Sequence, residues 1–391
     1  MRAAVVCADP GVPVFGSKGA SVHVQAIAGA LSRAGAQVDL LATRTGGDPP
    51  MNLARVRLHA LPAVPKGDAG RREAVALAHN DALAAALQTL GPLDLVYERY
   101  SLWSHAGMEY ARGAGVPGLL EVNAPLIDEQ AWHRTLVDRP GAEAVAARAF
   151  GAATAIVAVS DGVKGWLAGW PEARGKVHVV ANGVDPARFS SISRRERPGR
   201  AGRFTVGFLG TLKPWHGLDT LVAAFARLHA RRPGVRLLVV GDGPEAPRIA
   251  AELEERALRE AVRLTGAVDP ADVPRHLAEM DVAVAPYPDL RPFYFSPLKI
   301  VEYQAAGLPV VCSDVGGLDR LVADEVTGLL CPPSDPTALA AALEGLAADP
   351  RRCERLGQAA RERVLATHTW DAVARRVLDF AGLRSPARRA A

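Results

Sequence analysis

Long apolar runs are missing: no stretch of about 18 apolar residues occurs in the 391, so nothing reads as a membrane-spanning helix. After Met1 and Arg2 the apolar AAVVCA is too short for the core of a secretory signal and reads as a strand. Cysteine is scarce. Cys7, Cys312, Cys331 and Cys353 lie too far apart for a metal-ligand spacing, and no His and Cys cluster supplies one, so no metal site is expected. A reduced cytoplasmic chain is the expectation, with the inner face of a membrane as the alternative place. Basic residues are nowhere interleaved with aromatics as in a strand-binding groove, which argues against nucleic acid as a partner.

What is present suits two cores. With 49% hydrophobic and 23% charged residues, a chain this long is expected to bury two domains of somewhat under 200 residues each and stay soluble. The net charge of +4 is mildly basic, which suits phosphate-bearing ligands without requiring them. Apolar, β-branched runs alternate with alanine-rich helical stretches throughout. In the first half strands are expected at 3–7, 38–42, 56–61, 95–97, 118–122, 155–159 and 177–180. In the second they are expected at 205–209, 236–240, 262–265, 282–286, 310–312 and 328–330. Continuous apolar strands between helices predict an α/β architecture with parallel sheets covered on both faces. Ligands then lie beyond the carboxyl ends of the strands. The expected division is residues 1–188, a Ser-, Arg-, Pro- and Gly-rich linker at 189–203, a second domain at 204–366, and a helix at 367–391 that crosses back and ends in a loose tail.

The stretch from Phe293 to Val311, FYFSPLKIVEYQAAGLPVV, organises the rest. Ser296 suits an N-cap and Pro297 the first helical position, so the spacing predicts a helix to about Ala306, closed by Gly307. Free amides at such a start, with Lys299 in the first turn and Leu298 beside it, make an anion site. Glu302, one turn on, has the chemistry to accept hydrogen bonds from a vicinal diol. Phosphate and ribose together suggest a nucleotide. The plainer alternative is an exposed Lys299 and Glu302 ion pair worth a few tenths of a kcal/mol.

Other exit loops add to this set. GTLKPWHG, from Gly210 to Gly217, places Lys213 and His216 where a strand ends and a helix begins; the next strand ends in Gly241, Asp242 and Gly243, and the fourth leads through Tyr287 and Arg291 into the central stretch. In the first half, Gly11, Gly16, Lys18 and Gly19 follow the first strand, either approaching a phosphate or forming only a tight turn. Glu121 and Asn123 end the strand in LLEVNAP and precede Asp128, Glu129 and His133, where one of them can orient an acceptor hydroxyl. The alternative has Glu121 in a buried ion pair and His133 on a solvated helix; His105 has the same standing.

In one order along the chain, NGVD at Asn182, GTLKPWHG at Gly210, GDGP at Gly241, SPLKIVEYQAAGLPVV at Ser296, SDVGG at Ser313 and GLL at Gly328 resemble the retaining glycosyltransferases of family 4. The resemblance is strong from Asn182 onward and weaker before it. It implies the GT-B architecture, two Rossmann-like doubly wound domains facing across a cleft, with a nucleoside diphosphate sugar, a UDP-sugar in the first instance, as substrate and no cofactor or metal. The absence of any Asp-x-Asp pair agrees with that. It also implies transfer to a glycan, lipid-linked or small-molecule acceptor held by the first domain, with peripheral membrane contact as one setting. By resemblance Lys299, Lys213 and Asn123 carry the catalytic positions. Glu302, Ser296, Pro297, Leu298, His216, Gly210, Gly241, Gly243, Tyr294 and Arg291 line the donor, while Gly16, Lys18, Gly19, Glu121 and His133 serve the acceptor and phosphate loop.

The sequence departs from the family pattern in three places. Tyr294 stands where the first of two glutamates is usual, Pro297 replaces a glycine and deletes one amide, and Thr211 and His216 replace an Arg and a Lys of the phosphate loop. An epimerase or phosphorylase of the same fold, or a non-catalytic nucleotide-sugar binder, are the alternative expectations.

Overall fold

The computed structural model describes residues 1–65, 67–190, 192 and 204–383. Of the expected linker only Phe189, Ser190 and Ile192 are among them, and the expected tail from Arg384 lies outside them. The chain divides into two compact units. The first holds Met1–Gly183, Tyr294–Ser296 and the chain from Trp370 onward; the second holds Val184–Phe293 and Pro297–Thr369.

In the first unit the apolar runs become seven strands: β1 (Arg2–Cys7), β2 (Gln37–Ala42), β3 (Arg57–Ala60), β4 (Leu95–Arg99), β5 (Gly118–Val122), β6 (Ala155–Ala158) and β7 (Val177–Val179). All pair in parallel, in the order β3-β2-β1-β4-β5-β6-β7. The central strands are buried nearly throughout, because helices cover both faces. Those helices are α1 (Gly19–Arg33), α2 (Ala69–Thr89), α3 (Ala106–Ala114), α4 (Leu126–His133), α5 (Arg139–Ala152) and α6 (Asp161–Leu167).

The second unit has six parallel strands: β8 (Phe204–Leu209), β9 (Val235–Val240), β10 (Val262–Leu264), β11 (Val282–Ala285), β12 (Val310–Ser313) and β13 (Gly328–Cys331), ordered β10-β9-β8-β11-β12-β13. Its helices are α7 (Leu218–Arg231), α8 (Ala246–Glu255), α9 (Val273–Ala278), α10 (Leu298–Ala305), α11 (Pro336–Ala348) and α12 (Pro350–Thr367). The last helix, α13 (Trp370–Phe380), packs in the first unit: Trp370 meets the His23 ring edge-on at 4.9 Å, and Asp371 pairs with Arg33 at 2.7 Å. Among the described residues no helix is long and apolar enough to cross a membrane.

Both sheets are therefore Rossmann-like, and in each the strand order reverses once, between β1 and β4 in one and between β8 and β11 in the other. At such a reversal the two exit loops turn to opposite faces and leave a crevice, the usual ligand position in this architecture.

Candidate active site

At the reversal in the second sheet, β8 ends at Leu209 and β11 at Ala285, and the chain after β11 leads to α10. Gly210 has a φ of +142°, and a Cβ there would lie 2.9 Å from Lys299 Nζ. The missing side chain is what lets the lysine reach the end of β8. Lys299 is only 8% exposed, and its Nζ lies 4.1 Å from the Phe208 ring centroid and 5.5 Å from that of Tyr287. It makes no hydrogen bond among the described residues. Burial, opposed in part by the Glu302 carboxylate, brings its pKa down to about 7. A buried amine without an acceptor is costly, as expected where the acceptor comes with a ligand. The exposed Lys299 and Glu302 ion pair of the plainer alternative does not form: Lys299 is buried, and Glu302 Oε1 pairs with Arg188 Nη1 at 2.7 Å.

Arg188 was not among the residues singled out in the sequence. Its Nη2 also donates to the Pro270 carbonyl at 2.9 Å, so the guanidinium holds Glu302 against the sheet edge. Burial raises the Glu302 pKa and the Arg188 charge opposes the rise.

His216 does not supply the charge of the lysine it replaces. Its Nδ1 donates to the Thr211 carbonyl at 2.6 Å, so Nδ1 carries a proton, and in the neutral ring Nε2 is left as an acceptor. Burial and then the Lys299 charge push its pKa down to about 3. The two replaced positions of the phosphate loop thus bond to each other, and the cations near the loop are Lys299 and Lys213, whose Nζ lies 5.5 Å from the Trp215 ring.

Gly241 and Gly243 have a structural part here. A Cβ on Gly241 would collide with the Gly210 carbonyl and one on Gly243 with the Leu212 backbone, because the two exit loops pack main chain to main chain. Gly210 N donates to the Val240 carbonyl and Leu212 N to that of Asp242, both at 2.9 Å. Arg291 stands apart, its side chain 85% exposed and paired with Asp289.

The helix start differs from the sequence expectation. The N-cap of α10 is Pro297, without a side-chain cap, and Ile300 N donates to its carbonyl. The backbone amides of the first turn are therefore those of Leu298 and Lys299. Ser296 is no cap: it belongs to the first unit, where its Oγ accepts from Asn182 N at 3.1 Å and its carbonyl from Asn182 Nδ2 at 2.8 Å.

In the first unit, Tyr294 is buried and its hydroxyl donates to Glu129 Oε1 at 2.6 Å. A carboxylate from α4 therefore stands next to the residue that takes the place of a glutamate. Glu121 is in a buried ion pair with His23, Oε1 to Nε2 at 2.6 Å, and accepts from Asn123 Nδ2 at 3.1 Å. Gly16 closes a turn onto the Pro13 carbonyl, exposed Lys18 caps α1 without a side-chain bond, and α1 begins at Gly19. His133 is exposed at the end of α4, and His105 pairs with Glu109. A cavity of about 490 Å³ opens at the carboxyl edge of the first sheet, lined by Glu129 but not by Gly16, Lys18, Gly19, Glu121, Asn123 or His133. Among the described residues no group of three or more His, Cys, Asp and Glu side chains is placed to hold a metal ion.

Comparison with known proteins covers both units. A model described as Glycosyltransferase Family 4 matches residues 17–188, and one described as Glycosyl transferases group 1 matches residues 203–349. A glycogen synthase of Mycobacterium tuberculosis is 33% identical over 201 residues, 51% of this chain and 46% of that protein. A phosphatidyl-myo-inositol mannosyltransferase of Mycolicibacterium smegmatis is 37% identical over 228 residues, 57% of this chain and 55% of that one. The chain spans about half the length of the curated relatives it matches. Among solved structures, sucrose-phosphate synthase of Thermosynechococcus elongatus superposes with a TM-score of 0.75 at 24% identity over 97% of both chains. HepE of Anabaena, in complex with UDP and glucose, superposes with a TM-score of 0.71 at 20% identity over 97% of this chain and 99% of that one.

Proposed function

Since the chain belongs to glycosyltransferase family 4, we propose that it moves a sugar from a nucleoside diphosphate sugar, a UDP-sugar in the first instance, to an acceptor hydroxyl. The observation that carries this is the buried Lys299 Nζ, without a hydrogen-bond partner, at the strand reversal of the second sheet. The HepE structure holds UDP and glucose on the same fold, which supports a nucleotide ligand.

The diphosphate lies against the first turn of α10, where the Leu298 and Lys299 amides and the Lys299 ammonium meet it. When the glycosidic bond breaks, negative charge grows on the departing diphosphate, and Lys299 and Lys213 stabilise it. A donor aimed at developing charge is worth on the order of a hundredfold to a thousandfold in rate. The two lysines and the helix terminus do here the charge work that a divalent cation does elsewhere. Arg188 holds one oxygen of Glu302 and leaves the other for the ribose hydroxyls. The first unit binds the acceptor, and retention of anomeric configuration is proposed from the family.

Thermal denaturation with UDP-, GDP- and ADP-sugars tests this, because a ligand of the folded state alone must raise its melting temperature. A rise with one base series and release of the free nucleoside diphosphate on incubation are expected. No rise with any of them contradicts the proposal.

A further inference from the structure

We propose that the cavity of the first unit binds a neutral, hydroxyl-rich ring, a sugar or cyclitol unit, through the Asp9 and Glu129 carboxylates and the Arg72 and Arg134 guanidiniums that line it. Its role as acceptor site rests on the transferase function above, but the binding itself does not.

Place and size come first. The cavity is lined by Ala8 to Gly11, which leave β1, and by Ser101 to Ser104, which leave β4, so it sits where the first sheet reverses order. Its volume of about 490 Å³ falls within the range of small-molecule sites.

The chemistry of the lining selects the ligand. Three carboxylates and two guanidiniums line it, but Glu73 is fully used, accepting from Val137 N and Asp138 N at 2.9 Å each. Asp9 accepts from Gly11 N with one oxygen, and Glu129 accepts from Tyr294 with one, so each keeps an oxygen for a ligand. Among the described residues Arg72 makes no ion pair, and Arg134 has only a 3.5 Å contact with Gln130. Two available anions and two available cations thus share one lining. An anionic ligand meets the carboxylates and a cationic one the guanidiniums, whereas each hydroxyl of a polyol can donate to the former and accept from the latter. Leu83, Leu102 and Trp103 add apolar surface for the carbon face of a ring.

Tyr294 is the positioning residue for Glu129. Burial and then the hydrogen bond to Glu129 raise the pKa of its phenol, so it remains a donor, and its carbonyl accepts from Ser160 Oγ at 2.7 Å.

Saturation-transfer NMR with methyl glucoside, maltose, myo-inositol and glucose 6-phosphate tests the proposal, with UDP titrated in parallel. The neutral compounds should bind. Their affinity should fall about tenfold in Glu129→Gln, the scale of a lost charge-assisted hydrogen bond, and less in Tyr294→Phe, while UDP affinity and melting temperature stay unchanged in Glu129→Gln, whose amide oxygen can still accept from Tyr294. The proposal is overturned if no neutral compound binds, if Glu129→Gln binds them as well as the native chain, or if glucose 6-phosphate is preferred to all of them. Binding of the glycosides without any binding of UDP would leave this inference standing and remove the donor assignment.

Discussion

The two units share one sheet logic, and the proposed function gives them opposite kinds of recognition. In the second, the crevice is walled by backbone: Gly210, Gly241 and Gly243 bring two exit loops into main-chain contact, and one buried lysine is the charged group at their junction. In the first, the crevice is a cavity walled by side chains from several elements, with carboxylates and guanidiniums in its lining. A wall of main chain carrying lysines suits a group that does not vary, such as a diphosphate. A wall of side chains suits one that does. On the proposed assignment the donor end is written in glycine, proline and lysine at fixed spacing, while the acceptor end can change by single substitutions without disturbing the sheet.

The comparison breaks most readily at Lys299, the buried one of its two lysines. Lys299→Ala should lower turnover by on the order of a hundredfold to a thousandfold with little loss of melting temperature. Steady-state kinetics beside thermal denaturation decide this; a collapse in stability with full activity in the surviving fraction would make the lysine a packing residue.

Next in size is a contrast in the first unit. Glu98 is fully buried, accepts from Ser104 at 2.5 Å through one oxygen, and leaves the other without a partner beside Gly107. Burial pushes its pKa up to about 7. The folded state therefore holds a proton that the unfolded chain releases near the ordinary 4.5, and stability is lost as pH rises between those values. Glu98→Gln should remove that slope and stabilise the chain by up to about 3 kcal/mol above pH 7. Denaturant titrations at pH 5 and pH 8 check it, and an unchanged slope would count against it.

A smaller effect is expected behind the ribose contact. Arg188→Ala should weaken UDP binding by about 1 to 3 kcal/mol by loosening Glu302, leaving affinity for the glycosides of the first unit unchanged. Calorimetry with both ligand types separates the units, and parallel losses would deny that they act independently.

How far the sequence reaches follows the same divide. Among the described residues all thirteen strands lie where the apolar runs place them, to within a residue or two at most ends, because the buried central strands need unbroken apolar sequence, while the edge strand β3 (Arg57–Ala60) is largely exposed. The glycine loops are legible for the same local reason. The pairings that shape the sites are not: Ser296 looks like a helix cap until its oxygen is seen with Asn182, and Glu302 looks available until Arg188 is found beside it, each partner 114 residues away. Glu129 meets Tyr294 across 165 residues. Such contacts depend on where the chain returns, which no local pattern of residue types encodes.

The most direct test of the diphosphate seat is the pH dependence of UDP affinity between pH 7 and 9, above the last phosphate ionisation at about 6. Below its pKa of about 7 the Lys299 amine is already charged; above it, binding must bring a proton, since the bound anion favours the ammonium. Affinity measured by calorimetry should fall by up to about tenfold per pH unit, with proton uptake read from two buffers of different ionisation heat, and Lys299→Arg should abolish both. A flat profile without proton uptake in the native chain would contradict the account.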